Sequence, residues 1–550
     1  MAEAGALDFD DLIFRTVQML REHTDILARY QNQFRYLLVD EYQDTNHAQY
    51  QLVKLLGAGS GNVCVCGDDW QSIYAFRGAN FQNILDFEKD YPDATVIKLE
   101  QNYRSTKFIL DAAQAVIAKN RVRSDKNLWT DRGEGTGIGV VNVYNEVQEG
   151  EAILRQIEEL RRTENRELYD FAVLYRTNAQ SRSLEEAFLR YNMPYKIVGG
   201  TRFYERKEIK DALAYLRFIF QPDDVISFTR IINVPTRSLG DVSLGRVDAW
   251  RATQQISLLE ALHRAGEVPG LTGRAVSSLT TFATMIDTLR KEVTVRPIGS
   301  FLDLVLKKTG YLAYLDDGTI QAADRIENVK ELLSVAESYN ELTLEGFLEE
   351  TALISDMDNY SDSTNAVTLM TLHSAKGLEF PVVFIPGMEE GIFPHSRALF
   401  DGDQMEEERR LCYVGMTRAK ERLFLLYANT RLLYGATNHN APSRFLLEIP
   451  ADLQAAGSEW GTQARAAGGH GAGAASWSAP TYAGLPTTES SAAIHRERML
   501  GLDLQPGDRI RHAKFGEGVV KAVSGDEVTA EFSPVGSKRL SLAFAPIEKI

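Results

Sequence analysis

The sequence predicts an α/β protein that carries a helical insertion and ends in a small β-barrel. Three observations predict this. Short apolar runs alternate with helical segments up to about residue 200, long amphipathic helical patterns fill residues 204–361, and the strand pattern resumes with VTLMTLH at 367–373. Strands alternating with helices point to a parallel sheet. A helical block between two stretches of it points to an insertion inside a second α/β domain.

In chain order, Phe9, Leu12, Ile13, Val17 and Leu20 fall at helical spacing in LDFDDLIFRTVQML, with Asp8 as the cap. FRYLLVD follows, and its run Tyr36–Val39 reads as a central strand covered on both faces. NVCVCGDD at 62–69 reads as a second strand and TVIKLEQNYRST at 95–106 as a third. In KEIKDALAYLRFIF, Ile209, Ala212, Leu213, Leu216 and Phe220 form one apolar stripe of an insertion helix. VVFIPG at 382–387 is a further buried strand. Residues 451–503 are rich in Ala, Gly, Ser and Thr and read as a linker. GVVKAV, VTAEF and KRLSLAF alternate as barrel strands in 504–550. The expected divisions are 1–98, 99–203, 204–361, 362–450, the linker and 504–550.

At 550 residues the chain is too long for one core. No stretch approaches the roughly 20 apolar residues that span a bilayer. The three cysteines, Cys64, Cys66 and Cys412, have neither disulfide-framework nor metal spacing, so a reducing cytoplasm is expected. A formal charge of −16 argues against nonspecific adhesion to nucleic acid over the whole surface but leaves room for a local track.

LLVDEYQDTN at 37–46 delivers Asp40 and Glu41 to the carboxyl edge of a sheet, where ligands of open α/β folds bind. Asp40 is placed to hold Mg²⁺ through water, and Glu41 to orient or deprotonate an attacking water. A bare Asp-Glu pair equally suits two solvated acids closing a strand. In GDDWQSIYAFRGA at 67–79, Gln71 can sense a γ-phosphate. Tyr74 and Phe76 offer rings for base stacking or simply fill a core. Arg77 can meet a phosphate or a carboxylate. Arg104 in LEQNYRST and Arg418 in EEERRLCYVGMTRA are candidate fingers for transition-state charge, or structural ion pairs. Tyr103 is suited to stack on an adenine. In MTLHSAKGLEFPVVFIPGMEEGIFPH, Glu379 can accept a ribose hydroxyl, and His373, Lys376 and His395 can reach phosphates or bases.

Together DEYQDTN, GDDWQSIYAFRGA, LEQNYRST, TLHSAKGLEF and YVGMTRAK resemble, in order and spacing, the UvrD/PcrA/Rep helicases of superfamily 1. YRTNAQSR at 175–182, VGGTRFYERKEIKD at 198–211 and IINVPTRSLG at 231–240 extend the likeness, and GDRIRHAKFGEGVV resembles a PcrA-type Tudor-like domain. The resemblance implies RecA-like P-loop NTPase architecture, with ATP and Mg²⁺ between two lobes. Single-stranded DNA would cross above them, moving 3′ to 5′ toward single/double-strand junctions in DNA repair, in a bacterial cytoplasm. It assigns Asp40 and Glu41 to Mg²⁺ and hydrolysis, and Gln71, Arg104 and Arg418 to the γ-phosphate. Tyr103 falls to the base and Glu379 to the ribose. Tyr74, Phe76, Arg77, Arg176, Asn178 and His395 fall on the DNA track. Residues 204–361 resemble the mobile domain that leans on the duplex, and 504–550 one implicated in docking on RNA polymerase.

No G-x-x-x-x-G-K-[ST] loop occurs in the 550 residues. The first RecA-like domain is therefore expected to be incomplete and the chain N-terminally truncated, with a separate or missing N-terminal segment carrying the loop. The competing expectation is a fragment that binds DNA or RNA polymerase without hydrolysing ATP.

Overall fold

The structure is a computed structural model that describes residues 7–358, 365–433 and 436–455, then 506–512, 516–524, 527–532, 536–541 and 547–549. It divides into two compact units, Met1–Gly469 and His470–Ile550.

In the first unit, a helix over Phe9–Glu22 starts where Asp8 accepts the Asp11 N–H at 2.8 Å. Val17 and Leu20 are buried, but Phe9 and Leu12 are exposed, so only the C-terminal part of the expected stripe packs. β1 (Leu37–Val39) and β2 (Val63–Val65) pair in parallel as a two-stranded sheet. β1 is not covered on both faces, since Leu38 is 80% exposed. The third strand expected at 95–106 does not form. Val96, Ile97 and Leu99 lie exposed, and the pairing there is a single bridge from Gln101 to Trp129. Apolar alternation makes a strand only where a neighbour offers its backbone groups. The helix His47–Gly57 between β1 and β2 opens with a reciprocal cap: Asn46 accepts the Gln49 N–H and Gln49 accepts the Asn46 N–H.

The second sheet has six parallel strands, β3 (Gly139–Val143), β4 (Phe171–Tyr175), β5 (Tyr195–Val198), β6 (Val367–Thr371), β7 (Phe380–Ile385) and β8 (Ala419–Ala428). They lie in the order β3-β8-β7-β4-β6-β5. All five residues of β4 are buried, as a central strand covered on both faces requires. β5 and β6 are paired neighbours, Tyr195 opposite Val367, although the whole helical block lies between them in sequence. Its helices run from Lys207–Phe220 to Leu344–Asp358 around a core of their own. Ile209, Ala212, Leu213 and Leu216 enter that core, and Phe220 stays 43% exposed.

Trp70 and Ile73, from just after β2, pack into the core on one face of the six-stranded sheet. They join the two α/β lobes. Past a hairpin of β9 (Arg431–Leu433) and β10 (Ala436–Asn438), residues 451–455 still belong to this unit. Ala455 donates to the Ile138 carbonyl at 2.9 Å. The rest of the expected linker lies outside the described residues.

The second unit holds an antiparallel sheet ordered β14-β13-β12-β11-β15. Its strands are β11 (Arg509–His512), β12 (Gly516–Ser524), β13 (Glu527–Phe532), β14 (Gly536–Ser541) and β15 (Ile547–Lys549). Among the described residues no helix is long and apolar enough to cross a membrane.

Candidate functional site

β1 runs out at Val39 and hands Asp40 and Glu41 to its carboxyl edge. Glu41 sits in the left-handed region, φ 50° and ψ 41°, a conformation that costs a non-glycine residue about 1 kcal/mol or more. It turns the chain sharply into the short helix Tyr42–Asp44 while Gln43 donates to the Glu41 carboxylate at 2.6 Å. Both acids are exposed, and the Glu41 N–H donates to Asp40 Oδ1 at 2.9 Å. Exposed carboxylates that offer oxygen alone suit Mg²⁺, which takes one or two of them and fills its shell with water and phosphate oxygens. Burial raises the Cys66 thiol, and the neighbouring Asp40 raises it further. Asp44 is partly buried, which raises its carboxyl despite its contact with Lys376, and its Oδ1 has no hydrogen-bond partner.

The second lobe supplies the cations. Lys376 Nζ pairs with Asp44, lies 3.2 Å from Glu41 Oε2 and donates to the Gln71 carbonyl at 2.9 Å. Gln71 has a fixed amide: its Nε2 donates to Asp68 at 2.8 Å, and its Oε1 accepts from Arg418 Nη2 at 3.1 Å. Arg418 is 1% exposed and also donates to the Val414 and Leu378 carbonyls. Burial, then the like charge of Arg104, pulls its guanidinium down to about 10. Arg104 itself faces Glu379 at 2.7 Å rather than Gln71. Glu379 is held between Arg104 and Lys420, which bring its carboxyl down to about 2. Tyr103 is 76% exposed, its hydroxyl on Gln101.

Candidate nucleotide and DNA residues of the second lobe occupy opposite ends of its strands. Glu379 and Arg418 immediately precede β7 and β8, whereas Arg176, His373 and His395 follow the carboxyl ends of β4, β6 and β7. Tyr74 donates to the His373 carbonyl at 3.3 Å, and the half-exposed Phe76 ring meets the His373 ring edge-on at 5.5 Å. Arg77 stacks over both Tyr74 and Phe76. His373 is kept neutral: burial, then Arg176 and Arg77, lower it to about 3. Asn178 opens the turn Asn178–Gln180, and its carbonyl accepts from Arg206 at 3.0 Å.

Two expected DNA contacts are already engaged. Arg176 grips Glu408 in a two-pronged pair at 2.6–3.0 Å. His395 donates its N–H to Glu408, and its ring stands 3.6 Å from Glu327 of the insertion helix Ile320–Ser338. Sequence reasoning missed Glu408 and Glu327, along with Lys126, which pairs with Asp68 and lies 4.3 Å over the Trp70 ring. Lys126 carries no motif, and its partners are more than fifty positions away.

Residues 1–92 match the UvrD/REP helicase N-terminal domain, 97–430 the UvrD-like helicase C-terminal domain and 507–549 the PcrA/UvrD tudor domain. The chain is 45% identical to the ATP-dependent DNA helicase PcrA of Leuconostoc citreum, over 100% of its own length and 76% of that protein. It is 46% identical to the PcrA of Bacillus subtilis (strain 168), over 99% of the chain and 74% of the relative. For the PcrA of Staphylococcus aureus (strain NCTC 8325 / PS 47) the identity is 45%, with the same coverage. The chain thus spans about three quarters of the length of these relatives. With one family model covering more than half of it and such identity along its whole length, this chain belongs to the UvrD/PcrA family of helicases.

Proposed function

We propose that the protein is an ATP-dependent 3′–5′ DNA helicase that moves along single-stranded DNA and opens duplexes at junctions during DNA repair. The observation that carries this reading is the meeting of Lys376 and Arg418 with Glu41 and Gln71 across the two lobes. Glu41 orients the attacking water, Gln71 and Arg418 read the γ-phosphate, and Arg104 lies behind them with Glu379 at the ribose. Tyr103 faces the adenine. Mg²⁺, held through Asp40, neutralises phosphate charge when bound. A guanidinium aimed at developing phosphate charge contributes on the order of 10³–10⁵ in rate.

The DNA track runs over Tyr74, Phe76, Arg77, Arg176, Asn178 and His395, at the carboxyl ends of the second sheet's strands. Residues 204–361 are the domain that meets the duplex. The Tudor-like segment 504–550 closes as a small barrel and docks on RNA polymerase. No phosphate-gripping loop is among the 550 residues, so the chain supplies the hydrolytic and γ-phosphate-reading part of the site.

The test pairs binding of a fluorescent oligodeoxynucleotide with DNA-stimulated ATP turnover and separation of a 3′-tailed duplex. Residues 1–550 alone are expected to bind single-stranded DNA without robust turnover. Robust turnover abolished by Glu41→Gln would show that these residues suffice. No binding of single-stranded DNA would end the reading.

A further inference from the structure

The chain that carries Tyr74 and Phe76 leaves the core abruptly. Ser72 and Ile73 are buried, whereas Ala75, Phe76, Arg77 and Gly78 are exposed. The one-turn helix Ala75–Arg77 sets the Phe76 ring beside that of Tyr74, 6.1 Å between centroids. The first N–H of that turn, on Ala75, needs an acceptor from outside it, and Tyr74 before it offers no side-chain cap. The acceptor is 332 positions away in the chain: Glu407 Oε1 accepts the Ala75 N–H at 3.1 Å.

Glu407 belongs to the helix Gly402–Met416 of the second lobe. One turn on, Arg410 donates to the Ser72 carbonyl at 2.9 Å and stands 4.6 Å over the Phe81 ring. Residues at i and i+3 share a helix face. The segment is therefore gripped at Ser72, before the two rings, and at Ala75, between them. Among the described residues, the other hydrogen bond that ties Tyr74–Gly78 to a distant element runs from the Tyr74 hydroxyl to the His373 carbonyl, at 3.3 Å. A carboxylate beside a track for phosphates repels the strand, so a direct DNA contact does not account for Glu407. Its hydrogen bond to the Ala75 amide does.

We infer that Glu407 is a positioning residue for base stacking: it caps the one-turn helix from across the lobes and so holds the Phe76 ring where a base can lie on it. The inference rests on the DNA-track reading above. Glu407 acts through the Ala75 N–H and touches no nucleotide itself. A ring that must first be ordered returns less of its stacking energy, because the ordering is drawn from the free energy of binding.

The experiment measures binding of a fluorescent oligodeoxynucleotide to the full chain by anisotropy at one salt concentration, without nucleotide. Glu407→Met and Glu407→Gln are compared, each alone and with Phe76→Ala. Both remove the same charge, which by electrostatics alone would tighten binding slightly and equally. Methionine offers the Ala75 amide no oxygen, whereas glutamine keeps one. Glu407→Met is expected to weaken binding about threefold, the scale of a lost cap. Glu407→Gln should stay within about 1.5-fold of wild type, since its oxygen still accepts. Phe76→Ala should weaken binding about tenfold, and on that background Glu407→Met should change it less than about 1.5-fold, because the ring it positions is gone. Thermal melts check that each variant is folded, and Glu407→Ala, which also lacks an acceptor, must repeat the loss. Three results overturn the inference while leaving the track reading intact: wild-type binding by Glu407→Met where Phe76→Ala still weakens it, an equal loss in Glu407→Gln, or a loss that adds in full to that of Phe76→Ala. If Phe76→Ala binds as wild type does, or no form binds, the stacking reading falls and the inference falls with it.

Discussion

Glu149→Gln tests the most deeply buried charge cluster of the α/β unit. Arg431, 2% exposed, lies between Glu149 at 2.8 Å and Glu389 at 2.6 Å, and both acids are almost wholly buried. The Gly387 and Ala428 amides donate to these carboxylates at 2.9 Å each. Two carboxylates share one guanidinium, so full ionisation leaves a buried negative charge. Burial raises Glu149 to about 7 from its ordinary 4.5; Arg431 opposes the rise and Glu389 adds to it. A carboxyl raised on folding contributes stability below its unfolded value and loses it as pH climbs toward the folded one. Wild type should therefore lose roughly 2–3 kcal/mol from this group between pH 5 and pH 8, because a tenfold change in proton affinity is worth about 1.36 kcal/mol. Glutamine cannot ionise, and it leaves Arg431 and Glu389 as a neutral pair. The variant should be close to wild type at pH 5 and relatively more stable at pH 8. Urea midpoints at the two pH values measure this, with hydrogen exchange at the Gly387 and Ala428 amides as local reporters. A stability difference that does not change with pH, or a variant that loses ground at pH 8, would refute the argument that burial raises the Glu149 carboxyl.

Arg176→Met should cost about 3–5 kcal/mol by stranding Glu408, and Arg176→Met/Glu408→Met should recover most of it, read from denaturation midpoints. Asn46→Ala removes one arm of the reciprocal cap and should cost about 1 kcal/mol, seen as faster hydrogen exchange in the first turn of His47–Gly57. Phe76→Ala should weaken oligonucleotide binding by about 1–3 kcal/mol if a base stacks there, with little change in melting temperature because the ring is half exposed. The logarithm of oligonucleotide affinity should fall linearly with the logarithm of salt, at about 0.7 per phosphate neutralised; a flat response would remove the electrostatic track.

Much of this organisation could be read before any coordinates. The apolar run into Asp40–Glu41 ends a strand at its carboxyl edge, because buried strands and polar termini are written locally. The helical insertion showed in its period, and Ile209, Ala212, Leu213 and Leu216 do pack as one stripe. The misses are nonlocal. Residues 95–106 have a strand's composition but find a backbone neighbour only at the Gln101–Trp129 bridge, and Leu38 has a core residue's chemistry on an open face. Sequence marked Arg104 and Arg418 as equals, whereas one holds Glu379 and the other holds Gln71. Which acid a buried arginine meets depends on the packing of distant elements. That is also why Lys126, Glu408 and Glu327 passed unnoticed.

Because β6 and β7 run parallel, residues 372–379 must descend the full height of the sheet before β7 can begin. Their top carries His373 against Phe76, their middle Lys376 against Glu41, and their foot Glu379 against Arg104. The segment works as a tie rod between two ends that differ in chemistry. Its one compliant joint is Gly377, at φ +84° with open space where a side chain would stand. Any displacement at the foot that this joint does not absorb must reappear at the top, and a residue with a Cβ there would be strained by its backbone conformation although no neighbour stands in its way.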